Sequence, residues 1–307
     1  MTLQVLWAAP EVQADTIEDL CAALRARQAA VLARRSVQDI AEVLDRVATR
    51  WLDPEYPLRV QAIADISQHT GFSPAMVAHA IDLEQVSSRK PDMIAALDRE
   101  LGDHRALDGW VDAPKGRTTA VGPGLIGGIF SANIPALPHL TVMRSFLVKA
   151  ACLGRVSRGE PLYLPLYARS IAEVDPELAA CLAVVWWDSQ DLETEAAFAH
   201  GVDYLIAYGG DAALGAIRGR HPALRATWHG HRMGLAWVGR GALRNEAEAA
   251  SLAERLAYDF SVFDQHACLA PQACFVQKGG VVSPARFAEL LAAGLDEWLE
   301  KLPPRRL

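Results

Sequence analysis

The chain is predicted to fold as an α/β protein, with an open, mostly parallel sheet and flanking helices. Three observations predict this. Residues from about 15 to 105 carry helical patterning throughout. From Pro114-Lys115-Gly116 onward, short apolar runs bounded by Gly and Pro alternate with helical segments, the pattern of βαβ units. Hydrophobic residues make up 51% of 307 positions against 22% charged, which suits the core of two domains or one large one.

The N-terminal region is expected to be helical. Asp19 to Arg34 is rich in Ala, Leu and Arg, and Ser36 with Asp39 resembles a capping box ahead of Ile40, Val43 and Leu44. Ser73-Pro74 places a serine at N-cap and a proline at N1, before the apolar stripe Met76, Val77, Ala80 and Ile81. Strands are expected at Thr118 to Val121, Leu125 to Phe130, Leu182 to Trp187, Tyr204 to Tyr208, Leu235 to Val238 and Cys274 to Val276. Helices are expected at Leu137 to Ala151, Leu162 to Glu173, Leu192 to His200, Ala212 to Arg218, Asn245 to Tyr258 and Pro284 to Leu302. Gly239 to Leu243 reads as a joint, dividing the chain into lobes of residues 1–240 and 241–307.

Composition excludes several classes. A net charge of −7 argues against nucleic-acid binding, which needs a clustered basic surface. No apolar run reaches the roughly 18 residues of a membrane span. The start, Met1 to Trp7, lacks a basic n-region. Five scattered cysteines, an odd number without C-x-x-C spacing, fit a reducing cytoplasm and neither a disulfide framework nor a zinc site.

Several segments carry chemistry-bearing residues. In Phe263-Asp264-Gln265-His266-Ala267-Cys268-Leu269-Ala270-Pro271-Gln272, a cysteine sits between a helical run and a strand-like run. Its backbone N–H can help bind an oxyanion and its sulfur can face a cleft, or Cys268 is a buried small hydrophobe. Gly122-Pro123-Gly124-Leu125-Ile126-Gly127 matches G-x-G-x-x-G, but a strand follows the third glycine, so it reads as a tight turn between two strands. Asn133, at the carboxyl end of a predicted strand, is an oxyanion donor or the cap of the helix near Leu137. Arg155 and Arg158, in Arg155 to Pro161, meet a ribose or phosphate, or form a solvated loop. Gly209-Gly210 opens a helix where backbone N–H groups suit a pyrophosphate, unless Asp211 caps it. His229, His231 and Arg232 lie before a strand and read as structural or surface residues.

Taken in order, these pieces resemble the aldehyde dehydrogenase superfamily, and within it the acyl-CoA reductase branch of the LuxC type. The resemblance rests on Gln265-x-x-Cys268-x-x-Pro271-Gln272, on Phe130-Ser131-Ala132-Asn133-Ile134-Pro135, and on Val174-Asp175-Pro176-Glu177-Leu178 before Val184-Val185-Trp186-Trp187. It also takes in Phe72 to Val77. It implies an aldehyde dehydrogenase-like fold, with an NAD(P)-binding lobe that includes the N-terminal helices and a second lobe bearing the nucleophile. It implies Cys268 as nucleophile and Asn133 as its oxyanion partner. Arg155, Arg158, Gly209, Gly210 and Ser131 fall along the cofactor, NADPH or NADH, with Arg158 in place of the glutamate of NAD-preferring members. The implied partner is an acyl-CoA or acyl-protein thioester, reduced to an aldehyde through a cysteine acyl-enzyme.

Two departures from the family pattern shape the expectation. The region Trp228 to Arg232 lacks the glutamate base of aldehyde-oxidising members, which fits reduction of a thioester, a reaction needing no activated water. Only Leu269 to Leu307 follow the cysteine, so the resemblance implies an incomplete second lobe, possible homo-oligomerisation or a partner chain completing it. The other readings are an aldehyde dehydrogenase working oxidatively and a non-catalytic remnant or interaction subunit.

Overall fold

The computed structural model describes residues 3–305 and comprises two units, one of residues up to 65 with 80–230, the other of residues 66–79 with those from 231 onward. In chain order the elements up to residue 230 are β1 (Gln4–Ala8), α1 (Ile17–Ala30), α2 (Val37–Leu52), α3 (Pro57–Thr70), α4 (Pro74–Val86) and α5 (Lys90–Leu101). Then come β2 (Val111–Ala113), β3 (Gly116–Thr118), β4 (Leu125–Ile129), α6 (Pro138–Leu147), β5 (Ala151–Arg155), α7 (Tyr163–Val174) and α8 (Pro176–Ala179). They end with β6 (Leu182–Trp186), α9 (Leu192–Gly201), β7 (Tyr204–Tyr208), α10 (Asp211–Arg220) and β8 (Ala226–His229). The remaining chain forms β9 (Gly234–Val238), α11 (Glu246–Ser261), β10 (Pro271–Val276) and α12 (Pro284–Lys301).

The helices begin where their sequences dictate. Ser36 accepts a hydrogen bond from Asp39 N at 3.0 Å, Ser73 from Met76 N at 3.2 Å, and Ser283 from Arg286 N at 3.1 Å. Each satisfies a donor that the first helical turn leaves orphaned. Asp175 caps α8 by accepting from Leu178 N at 2.9 Å, and Arg35 pairs with both Asp175 and Glu177. The segment Val174 to Leu178 therefore ties the N-terminal helices to the entry of β6.

The first unit is built on a six-stranded sheet ordered β1-β6-β5-β4-β7-β8. All neighbours are parallel except the β1–β6 pair at one edge. Parallel strands are buried on both faces, and β4, buried throughout, shows it. A Cβ on Gly127 would lie 2.7 Å from the Phe198 ring and 3.0 Å from Val202, so the glycine admits α9. On the other face the Phe130 ring covers Gly128 and Gly154. The G-x-G-x-x-G segment is thus no phosphate loop: its third glycine lies inside a strand. It is also no turn within one sheet, because β2 and β3 form a separate hairpin.

Three expectations change. The helix predicted to Ala151 stops at Leu147, and Ala151–Arg155 is an inner strand. Lys149 turns the chain with a φ of 62°, and a five-residue buried run is too short for its periodicity to tell strand from helix. The strand predicted over Thr118 to Val121 is only the end of β3, at Thr118, and residues 119–124 are irregular. β1 and β8 were not predicted, because each gains its place by pairing with a neighbour strand.

In the second unit β9 and β10 pair in parallel, with Ala236 opposite Cys274 and Val238 opposite Val276. This face packs on α11 and α12 through Leu256, Ala253 and Phe287. No described helix is long and apolar enough to cross a membrane.

Two stability measurements follow. Gly127→Ala forces a methyl into Phe198 and Val202, and urea unfolding should show a loss of about 1–3 kcal/mol. Burial pushes the Glu84 carboxyl on α4 up to about 7, against the opposing pull of Arg144. The folded state therefore binds the proton more tightly than the unfolded chain does. The contribution of Glu84 is present below its ordinary value of 4.5 and is lost as pH rises through about 7. Glu84→Gln should flatten that fall in a denaturation series from pH 5 to 8; an unchanged slope would contradict the assignment.

Candidate active site

Parallel strands deliver their carboxyl ends to one edge of the sheet. From β4 the chain moves one way through β5 and β6, then returns to place β7 and β8 on the other side. The order reverses between β4 and β7, and ligands of open α/β sheets bind in the crevice outside that point. The segment after β4 holds Ser131 and Asn133, and the turn after β7 holds Gly209 and Gly210. Arg155 ends β5, one strand away, and Arg158 is exposed in the loop beyond it. The first unit thus gathers six of the seven predicted site residues at one edge. Cys268 belongs to the second unit.

Asn133 does not cap α6: the N-cap is Leu137, without a side-chain bond. Ser131 Oγ donates to Asn133 Oδ1 at 2.5 Å, which turns the amide nitrogen into the donor end. After β7, Gly209 N donates to the His229 carbonyl at 3.2 Å and extends the sheet. Gly210 is the N-cap of α10, with no side-chain cap, and Asp211 lies in the first turn. A Cβ on Gly210 would meet nothing within 4 Å, so open space faces this helix end.

Arg155 is the most unusual polar group at the edge. Its Nη2 donates to the Trp187 carbonyl at 2.9 Å, and its guanidinium lies 4.8 Å from the Trp187 ring centroid. Its Nε is buried without a partner. Burial lowers its pKa, against the pull of Glu195 and Asp188. The neighbouring loop is closed by Glu160, which accepts from Leu162 N and Tyr163 N at 2.8 and 2.9 Å and so occupies the start of α7. Two features of this edge can bear on a cofactor: α10 begins without a side-chain cap, and the Arg155 Nε is buried without a partner.

Sequence reasoning missed the aromatic row along this edge. His229 stacks on Tyr208 at 4.5 Å and 13°, and Tyr208 on Phe130 at 6.3 Å and 28°. The signal was present: Phe130, Trp187, Tyr208 and His229 each lie at or one residue beyond a strand end. Reading the histidine apart from its strand concealed it. Asp98, Asp103 and His104 also cluster within 4.8 Å. However, the His104 ring nitrogens bond Asp98 at 2.8 Å and Gln38 at 2.9 Å, which ties off the end of α5.

In the second unit, Cys268 is exposed between a 3-10 turn (Val262–Gln265) and β10. Phe263, Asp264 and Gln265 take φ values of 57°, 48° and 61°, an αL run rare outside glycine. Side-chain and main-chain bonds hold it. Gln265 Nε2 donates to the Pro271 carbonyl and Gln272 Nε2 to the Gln265 carbonyl, both at 3.2 Å. Asp264 accepts from Arg305 N at 2.6 Å. The Phe72 ring meets His266 edge-on at 6.3 Å and lies under the Arg305 guanidinium at 5.2 Å. This explains why residues 66–79 belong to this unit.

Cys268 is thus not a core residue, unlike three of its counterparts. Burial pushes the Cys21 thiol up to about 11 and those of Cys152 and Cys181 up to about 12, and it raises Cys274 as well. A thiolate is the reactive form. Iodoacetamide on the native chain at pH 8 should therefore modify Cys268 first, and Cys21, Cys152 and Cys181 only after unfolding. Peptide mass spectrometry reads this directly, and early labelling of a buried thiol would contradict the packing.

Comparison with known proteins gives a consistent picture. The chain is 25% identical over 241 residues to a long-chain acyl-protein thioester reductase of Photorhabdus luminescens, covering 77% of this chain and 49% of that protein. It is 24% identical over 243 residues to the reductase of the same description from Vibrio harveyi, covering 77% and 50%. The chain therefore spans about half the length of the curated relatives it matches. Among solved structures, an NAD-dependent aldehyde dehydrogenase from Sinorhizobium meliloti superposes with a TM-score of 0.69 at 18% identity, covering 96% of this chain and 56% of that one. An NAD-dependent benzaldehyde dehydrogenase from Corynebacterium glutamicum gives 0.67 at 14%, covering 99% and 65%. The aldehyde dehydrogenase fold expected from the sequence is present. Residues 32–307 match the family described as acyl-CoA reductase (LuxC), and the chain belongs to that family.

Proposed function

We propose that this chain carries the cofactor-binding and nucleophile-bearing parts of a reductase that converts a long-chain acyl thioester to an aldehyde. The observation that carries the reading is that Cys268, where the family resemblance implies a nucleophile, is an exposed thiol following an αL run held by Gln265, Gln272, Asp264 and Phe72. In this reading the first unit is the NAD(P)-binding lobe and the second belongs to the catalytic lobe. The curated relatives are named for acyl-protein thioesters, so an acyl-protein thioester is the proposed substrate, with acyl-CoA as the alternative acyl donor.

The Cys268 thiolate attacks the carbonyl carbon of the acyl thioester, and the carbonyl oxygen gains the negative charge. Asn133, with its amide nitrogen directed by Ser131, and the Cys268 backbone N–H are the proposed donors to that oxygen. Collapse breaks the bond to the leaving sulfur, releases a thiolate and leaves an acyl thioester on Cys268. NADPH or NADH, when bound, would supply a hydride to the acyl carbon. The thiohemiacetal alkoxide then held on Cys268 reforms its C=O bond and expels the cysteine sulfur, giving the aldehyde and regenerating the thiolate. No step requires activated water, and Trp228 to Arg232 contains no carboxylate that would activate it.

For the cofactor, the start of α10 at Gly210 is the proposed place of the pyrophosphate. Arg155, at the end of β5, is proposed for the ribose. Exposed Arg158 tolerates a phosphate on that ribose, which favours NADPH.

The test is acylation. Incubation with long-chain acyl-CoA, and separately with an acylated carrier protein, should leave the acyl group on the Cys268 peptide. Cys268→Ala should abolish it, and label surviving that change would sink the assignment. Asn133→Ala should slow acylation by about 10²–10³, the usual effect of losing one oxyanion donor.

A further inference from the structure

We infer that Trp187 is a positioning residue for the cofactor: its indole face and backbone carbonyl together hold the Arg155 fork at the carboxyl edge of the sheet. The inference rests on the proposed role of Arg155 at the ribose and adds the residue that sets its geometry.

Arginine stems are flexible, and a guanidinium normally settles on a carboxylate. This chain follows that rule elsewhere: Arg35 pairs with Asp175, Arg59 with Asp82, and Arg89 with Asp45. Arg155 forms no ion pair among the described residues, although two acids influence it. Both are engaged elsewhere. Glu195 accepts from Arg220 through both oxygens at 2.7 Å and from His221 at 3.1 Å. Asp188 accepts from Gln190 N at 2.9 Å. What holds Arg155 instead is one residue acting twice, through the Trp187 ring at 4.8 Å and the Trp187 carbonyl at 2.9 Å. The ring is itself immobile: Trp187 is 1% exposed and packs on Phe198 of α9 at 5.2 Å. A cation over a desolvated indole is strongly held, yet the ring accepts no hydrogen bond from Nε. The arrangement therefore fixes the guanidinium without an acid to cancel its charge. A carboxylate in place of Trp187 would fix it as well, but would consume the donors and cancel the charge.

A double-mutant cycle on the full chain tests this. NADPH is titrated by fluorescence against wild type, Trp187→Leu, Arg155→Ala and the double variant, each checked for folding by circular dichroism and thermal melting. Trp187→Leu and Arg155→Ala should each weaken binding about tenfold, and the double variant should be no worse than Arg155→Ala. Trp187→Phe keeps a ring against Phe198 and should lose about threefold; it replaces Trp187→Leu in the cycle if the latter fails to fold. The Arg155 Nε–H resonance, assigned by its absence in Arg155→Ala, should be shifted by the indole ring current in wild type and return toward the ordinary arginine position in Trp187→Leu, an effect that loss of packing elsewhere would not produce. Additive losses, or an unshifted resonance, would overturn the role of Trp187 while leaving the cofactor reading intact. A wild-type chain that binds no NADPH would overturn both.

Discussion

The close approach of aromatic rings to glycines of the two central strands is the constraint on which the first unit depends. Gly127 lets Phe198 of α9 reach one face of the sheet, and Gly128 with Gly154 lets Phe130 lie on the other. Any side chain at these positions would lift a layer away from the sheet. Two consequences reach the candidate site. Phe198 is the surface against which Trp187 packs, and through Trp187 the position of Arg155 is set. Phe130 anchors the row of stacked rings that runs to His229, beside the Gly209-Gly210 turn. The geometry of the ligand edge is thus inherited from the packing beneath it.

The electrostatics of that edge differ from those of the surrounding helices. Around the N-terminal helices, buried or half-buried arginines meet carboxylates, as in Arg59–Asp82 and Arg89–Asp45. Such pairs neutralise charge and tie elements together. At the carboxyl edge the nearby acids are withdrawn into their own pairings, and Arg155 is held by a ring. Desolvating a charge without a counter-ion costs free energy that a structure accepts only where something else is gained. In the proposed reading, the compensation is the cofactor's ribose.

The second unit solves a different problem. The thiol proposed as nucleophile is exposed, yet an exposed loop tends to wander. Here Gln265 and Gln272 bond across the loop and Asp264 fastens it to Arg305, while Phe72 and Met76 support it from a distant part of the sequence. Three consecutive residues in the left-handed region persist because these bonds over-determine them.

Much was legible in the sequence, for physical reasons. Caps at Ser36 and Ser73 are local, and local chemistry can be read from a few residues. Buried strands bounded by Gly and Pro gave the alternating pattern, and the order of the motifs pointed to the family. Other features depended on partners far along the chain. Ala151 reads as the last residue of a helix until pairing with β4 and β6 makes Ala151–Arg155 an inner strand. Asn133 looked able to cap a helix until α6 was seen to begin without it, and the third glycine of the G-x-G-x-x-G segment reads as part of a turn until α9 lies against it. The cysteine and its neighbours were determined by the sequence alone. Only the tertiary structure decided that Cys268 is exposed while Cys21, Cys152 and Cys181 are buried, and that Arg155 rests on Trp187 and not on an acid. Exposure and counter-ion choice belong to the packed assembly, because each is set by residues that only folding brings near.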